Sequence, residues 1–143
     1  MVRRALVSDV DHILDIAEVF NDDYGLPEIN TERARTALLG FIKHGTVFCS
    51  GAGAIVGMTY TDPFRDRTLL LEIGWYADGG GMTGVKLLNA FIKEAKKLEV
   101  DAVIMSTLRN SDLRIGKFLE RQGFSVSETS YTLELGGHIK CLL

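Results

Sequence analysis

The chain has 143 residues, a length typical of one domain that buries a sizeable core. Hydrophobic residues make up 46% and charged residues 24% of the chain, which excludes a disordered or low-complexity protein. The 16 Lys and Arg stand against 19 Asp and Glu, and a net charge of -3 gives no general field that gathers nucleic acid. We therefore expect a single domain over residues 1–143 with no nucleic-acid partner.

Hydrophobic periodicity and turn residues divide the chain into eleven predicted elements. The first helix has the spacing of a capping box, with Ser8 followed three residues later by Asp11. The second helix has an N-cap at Asn30 or Thr31. In chain order we predict a strand over 2–7, a helix from 8 to before Gly25, a helix from 30 or 31 to Gly45, strands over 46–50, 54–60 and 68–77, a helix over 85–98, a strand over 100–106, a helix from 111 or 112 to Gln122, and strands over 124–128 and 130–135.

The predicted order is β-α-α-β-β-β-α-β-α-β-β. It joins an antiparallel meander to a helix-linked, parallel pair of strands and ends in a hairpin. This combination predicts an α+β (mixed α/β) fold, a central mixed and mostly antiparallel sheet flanked by about four helices.

Glycines follow the strand predicted over 68–77. The run from Gly79 to Gly84 precedes a helix, where unpaired N–H groups and the helix dipole can bind a phosphate. The run also fits the G-x-G-x-x-G of dinucleotide-binding domains, but a meander precedes it and the next strand ends in Ser106 without an acidic residue. A nucleoside triphosphate loop needs Lys directly after its last glycine, where this chain has Val85. A tight turn without a ligand is the remaining alternative.

The element order over residues 2–135 resembles the GNAT superfamily of acyl-coenzyme A-dependent N-acetyltransferases. The family's pyrophosphate loop reads Gln or Arg, two residues, Gly, one residue, then Gly or Ala before a helix with paired aliphatic residues. Aligning Leu87-Leu88 with that pair puts Gly84 on the final glycine but Met82 on the first and Gly79 on the Gln or Arg, so the motif is degenerate. The resemblance implies acetyl-CoA as cosubstrate, no metal, and a pyrophosphate zone made of Gly80, Gly81, Met82, Thr83, Gly84 and Val85.

The segment from Asp112 to Phe124 is similar to the family's helix that ends in Gly-Phe and flanks the pantetheine arm. It implies cofactor contacts at Ser111 and Phe118. The family often places a Tyr five residues before the Phe, where its phenol protonates the departing thiolate, and this chain has Leu119 there.

Glu72 is the candidate general base for an amine acceptor. It is the one carboxylate among the apolar residues 69–76, and desolvation there would raise its pKa. Some family members carry a glutamate base on this strand. The alternative is a Glu72 on the solvated face. The resemblance also implies that a main-chain N–H near Tyr76 or Ala77 meets the thioester oxygen.

Three hydroxyl residues are candidates for the general acid that protonates the departing thiolate, Tyr131, Ser106 and Ser111. Solvent is a fourth source of this proton. The acidic residues Asp22, Asp23 and Glu28, between the first two helices, can attract a cationic amine or can form a solvated acidic loop.

We therefore predict an N-acetyltransferase that moves an acetyl group directly from acetyl-CoA to a primary amine of a small molecule or protein. The alternative is a noncatalytic GNAT-fold module that binds acyl-CoA or regulates another protein. Terminal hairpins in this family often pair subunits, so a homodimer is expected.

The composition predicts a cytoplasmic location with no membrane partner. The N-terminal residues become acidic at Asp9 before any apolar run long enough for a signal peptide. Cys49 and Cys141 are too few for a disulfide framework, and the three histidines share no metal-ligand spacing.

Overall fold

The computed structural model describes residues 1–78, 81–109 and 111–136. The chain divides into two compact units, Met1–Asn110 and Ser111–Leu143. In the described part, the first unit holds strands β1 (Arg3–Arg4), β2 (Thr46–Ser50), β3 (Gly53–Thr61), β4 (Thr68–Ala77) and β5 (Ala102–Ile104) with helices α1 (Val10–Asp23), α2 (Thr31–His44) and α3 (Gly81–Lys97), and the second unit holds α4 (Leu113–Arg121).

The five strands form one sheet in the order β1-β2-β3-β4-β5. Neighbours pair antiparallel as far as β4, and β4 pairs parallel with β5 across the α3 connection. The predicted mixed, mostly antiparallel sheet is confirmed. A β-bulge interrupts the β3–β4 ladder: Val56 pairs with Gly74 and Gly57 with Glu72, which leaves Ile73 as the extra residue on β4.

Helices cover both faces of the sheet. On one face, α1 and α2 pack over the alternate strand residues Val47, Cys49, Ala54 and Val56. On the other face, Leu87, Phe91 and Ala95 of α3 pack over Ile55 and Leu70. Phe91 is completely buried, and burying such a side chain stabilises the fold by about 1.5 to 3 kcal/mol.

The N-terminal turn differs from the predicted capping box. Asp9, not Ser8, organises it. The Leu6 N–H donates to Asp9 Oδ2 over 2.7 Å, and the two terminal guanidinium nitrogens of Arg3 each donate to the Asp9 carboxylate over 2.7 Å. The Arg3 hydrogen bonds hold the pKa of Asp9 well below its usual range. Because this network uses Asp9, a short 3-10 turn over Val7–Asp9 precedes α1 and the α-helix begins two residues later than predicted.

Two other caps match the sequence. The Asn30 side chain accepts from the Arg33 N–H over 3.0 Å at the start of α2. At the start of α4, Asp112 accepts from the Arg114 N–H over 2.9 Å.

The prediction of a terminal hairpin is wrong. Residues 124–128 and 130–135 carry no strand in the structure, and the apolar side chains of Tyr131, Leu133 and Leu135 are 93%, 81% and 79% exposed. Alternating apolar residues form a strand only with ladder partners and a face to bury, and this segment has neither within the described residues.

Among the residues that the structure describes, no helix is both long and apolar enough to cross a membrane.

Candidate functional site

Strands β4 and β5 are joined at one end and separate soon after. The Asp101 N–H donates to the Thr68 carbonyl over 2.7 Å, and the Thr68 N–H donates to Asp101 Oδ2 over 2.8 Å. Parallel pairing then runs through only three residues of each strand and ends at Leu71 and Ile104. Within the described residues, the rest of β4 therefore has no strand partner on this side.

Glu72 is the first residue of β4 beyond that pairing. Its carboxylate Oε1 accepts a hydrogen bond from the Ser106 N–H over 3.1 Å, so the carboxylate lies in the opening between the separating strands. Glu72 is half-buried. Desolvation raises its pKa above the ordinary carboxyl value, and the hydrogen bond from Ser106 offsets part of that effect. The Glu72 carboxyl is thus a weaker acid, and a stronger base, than a solvated glutamate.

The main-chain groups of β4 alternate between β3 and the opening. The Asp78 N–H donates to the Ala52 carbonyl over 2.7 Å, and Tyr76 is paired with Ala54 two residues earlier. Because hydrogen-bonded pairs recur every second residue in an antiparallel ladder, the Tyr76 main chain is directed towards β3 and the N–H groups of Trp75 and Ala77 point away from it. Of the two amides predicted for the thioester oxygen, Ala77 therefore has the open orientation. Trp75 shares it and was missed, although the period of two could have indicated it.

The glycine run leads directly into α3, which begins at Gly81. Gly81, Met82 and Thr83 thus occupy the first turn, where N–H groups have no helical acceptor, whereas the N–H of Val85 faces the carbonyl of Gly81 four residues earlier. The Trp75 indole N–H donates to the Gly84 carbonyl over 3.2 Å and ties this turn to β4. Gly80 lies outside the described residues.

This turn fits the pyrophosphate that the resemblance implies. The side chain of Met82 is exposed, so the first turn is accessible at this residue. The N–H groups and the dipole of the first turn suit an anion. When bound, acetyl-CoA would supply the reactive thioester.

The phenol of Tyr76 was not predicted to be part of the site. Tyr76 is half-buried and meets the ring of Phe20 edge-on, with centroids 4.9 Å apart. Phe20 also packs against Tyr24 at 4.5 Å. A Cβ built on Gly74 would lie 2.3 Å from the Tyr76 hydroxyl oxygen, so only glycine admits the ring at this place. The spacing of Gly74 and Tyr76 on one strand face was the available sequence signal.

An acidic cleft of about 340 Å³ opens where α1 ends and α2 begins. The predicted Asp22 and Glu28 line it, whereas Asp23 is outside its lining. The surrounding residues 9–32 contain eight Asp and Glu and no Lys or Arg. Its lining residues are Glu18, Asn21, Asp22, Leu26, Glu28, Ile29 and Thr31.

The second unit carries the other two predicted cofactor contacts. Ser111 and Phe118 are both half-buried there, before and within α4. Leu119 is buried, so an apolar side chain occupies the position where the family often has its tyrosine.

Comparison with known proteins identifies the fold. A solved probable acetyltransferase superposes with a TM-score of 0.76 at 14% sequence identity, over 95% of this chain and 98% of the other. A Trypanosoma brucei acetyltransferase superposes with a TM-score of 0.71 at 18% identity, over 94% and 99%. The chain has a GNAT-type fold. No protein-family model matches the sequence, and no curated protein matches it.

The GNAT-type fold accounts for the element order from β1 to α4. One fold supports many activities, so the chemistry depends on the individual groups of the site.

Proposed function

We propose that this protein is an N-acetyltransferase that moves an acetyl group from acetyl-CoA directly to a primary amine. The observation that carries the proposal is the Glu72 carboxylate, half-buried where β4 and β5 separate, with a raised pKa. An amine is protonated in neutral water and attacks only after it loses a proton. A base whose pKa lies closer to neutrality than that of a solvated carboxylate suits this task.

The donor side of the proposal uses β4 and the start of α3. The N–H groups of Gly81, Met82 and Thr83 would hold the pyrophosphate, and the N–H of Ala77 or Trp75 would stabilise the negative charge that develops on the thioester oxygen. The tie between Trp75 and Gly84 supports this arrangement, because it fixes the two donor groups relative to each other.

The acceptor side of the proposal uses the acidic cleft. Its carboxylates favour a cationic amine, either a polyamine-like small molecule or a lysine side chain of a protein. Phe20 is next to the cleft residue Asn21 in α1 and touches Tyr76 of β4, which links the cleft to the strand that carries Glu72. We further propose a cytoplasmic location and a homodimer.

The test is release of free coenzyme A thiol from acetyl-CoA in the presence of a panel of diamines and a lysine peptide. We expect thiol release that depends on the amine, and a kcat about 100-fold or more lower in Glu72→Gln, because a general base contributes about 10²–10⁴-fold. The matched control is Glu128→Gln, which changes an exposed glutamate of the second unit and should leave kcat unchanged.

A thermal shift with acetyl-CoA separates the enzyme from the noncatalytic alternative. A ligand at about 100 times its dissociation constant stabilises the fold by about 2.7 kcal/mol. Stabilisation by acetyl-CoA without thiol release for any amine would favour the binding module. Stabilisation by NAD alone would contradict both.

A further inference from the structure

The phenol of Tyr76 lies back along β4, over Gly74 and in the direction of Glu72. Gly74 pairs with Val56, which packs in the α1 and α2 cluster, so Gly74 and Tyr76 share that face of the sheet. The hydroxyl oxygen would be 2.3 Å from a Cβ on Gly74, two residues closer to Glu72 than the Tyr76 backbone. The Phe20 ring packs edge-on against the phenol, with the two ring centroids 4.9 Å apart.

Glu72 and Tyr76 also interact electrostatically. Burial raises the pKa of the Tyr76 phenol, and the charge of the Glu72 carboxylate raises that pKa further. The hydroxyl is therefore protonated throughout the neutral range and is available as a proton donor. Glu72 itself turns towards Ser106, into the opening where β5 no longer covers β4.

We propose that Tyr76 is the general acid of the acetyl transfer, and that its hydroxyl gives a proton to the sulfur of the departing coenzyme A. This inference rests on the function proposed above. The amine nitrogen forms a bond to the thioester carbonyl carbon, and Glu72 takes a proton from that nitrogen. The carbon–sulfur bond then breaks, its electron pair goes to sulfur, and sulfur takes the Tyr76 proton. The Glu72 proton returns to the phenolate through solvent, which restores both groups.

The two proton transfers assist each other. When Glu72 accepts the amine proton it loses its negative charge, and that charge is one of the two causes that weaken Tyr76 as an acid. The phenol thus becomes a stronger acid at the step in which the thiolate leaves.

The other candidate hydroxyl groups, and the residue at the position where the family often has a tyrosine, are less suited to donate this proton. The predicted alternative Tyr131 is 93% exposed, in a segment without regular structure. The residue at the family's tyrosine position, Leu119, has no proton to give. Ser106 already bonds Glu72 through its main-chain N–H, and an alcohol is a much weaker acid than a phenol.

The experiment compares Tyr76→Phe with a protein in which a fluorinated, more acidic tyrosine replaces Tyr76 by genetic code expansion. We expect Tyr76→Phe to lower kcat by about 100-fold or more with the KM for acetyl-CoA nearly unchanged, because only the transition state uses the proton. The fluorinated phenol keeps the ring and hydroxyl, and should move the alkaline limb of the kcat–pH profile to lower pH. The same fluorinated residue at Tyr60, a half-exposed tyrosine of β3, is the control and should leave the limb in place.

A structural role for the phenol would not move a pH limb. A Tyr76→Phe protein with wild-type kcat would overturn the inference. An alkaline limb of the kcat–pH profile that does not shift with the acidity of the phenol would also overturn it. Neither result would affect amine-dependent turnover of the wild type. Wild-type protein without any amine-dependent thiol release would instead remove the proposed function and this inference with it.

Discussion

At the scale of single residues, Glu72 is subject to two opposing effects. Burial at the edge of the sheet disfavours its charged form, whereas the Ser106 N–H favours it. Desolvation is the larger effect, so the folded protein holds the carboxyl proton more tightly than the unfolded chain does. The ionised Glu72 carboxylate therefore lowers the stability of the folded protein.

We predict that Glu72→Gln is more stable than the wild type at pH 8 and that the difference disappears in acid. The pKa of the Glu72 carboxyl is higher in the folded protein than in the unfolded chain. The carboxyl therefore contributes its full stabilisation below the pKa of the unfolded chain, and this contribution is lost as the pH rises through the pKa of the folded protein. Glutamine retains an acceptor for Ser106 without the charge. Thermal unfolding at pH 8 and pH 4 measures the effect, with Glu128→Gln as the control. A Glu72→Gln protein that is less stable at pH 8 would mean that the hydrogen bond outweighs desolvation.

At the scale of elements, the close approach of β3 to the Phe91 ring of α3 depends on Gly57. A Cβ on Gly57 would stand 2.4 Å from the Phe91 ring and 2.8 Å from the Leu71 carbonyl oxygen. At Gly40, inside α2, a Cβ would meet no atom within 4 Å apart from the chain neighbours and the backbone of its own helix. The two glycines therefore differ in the space around them.

We predict opposite effects for the same substitution at these two positions. Gly57→Ala should destabilise the fold by about 1 to 3 kcal/mol, because Phe91 is completely buried and has no room to retreat. Gly40→Ala should stabilise it by roughly 0.5 to 1 kcal/mol, because alanine favours the helix. Denaturant unfolding of both variants measures the pair. Equal effects of the same sign would contradict the packing described for β3 and α3.

The elements that the sequence predicted well are those with local signals. The caps at Asn30 and Asp112 and the period of the first two helices depend on neighbours within a few residues. The start of α3 at Gly81 was missed, because glycines favour a loop by propensity and the anchoring bond from Trp75 comes from another element. The terminal hairpin was wrong because alternation does not supply a partner strand.

The residues of the candidate site also differ in whether local sequence signals indicate them. The sequence indicated Glu72 as a candidate because it is the one carboxylate among the apolar residues 69–76, and the structure places it half-buried. The Tyr76 phenol was missed because its position depends on Phe20, 56 residues away in sequence, and on the bulge at Ile73 that sets the strand faces. Whether these residues perform the proposed chemistry stays a prediction.

At the scale of the whole molecule, the net charge of -3 conceals an uneven distribution. Residues 9–32 contain eight acidic and no Lys or Arg residues, whereas the rest of the chain carries 16 Lys and Arg against 11 Asp and Glu. The acidic stretch includes the cleft between α1 and α2. This uneven distribution supports the proposal that a cationic acceptor binds at the cleft.

We predict that the KM for a diamine acceptor rises about threefold or more between 50 mM and 500 mM salt, with kcat nearly constant. The Debye length falls from above 10 Å to a few ångströms over this range, so salt screens the exposed carboxylates of the cleft but acts little on the half-buried Glu72. Asp22→Asn should weaken the salt dependence, and Glu128→Gln, outside the cleft, should not. A KM that does not change with salt concentration would mean that the cleft takes no part in acceptor binding. A kcat that falls with salt would mean that Glu72 is as solvated as the cleft carboxylates.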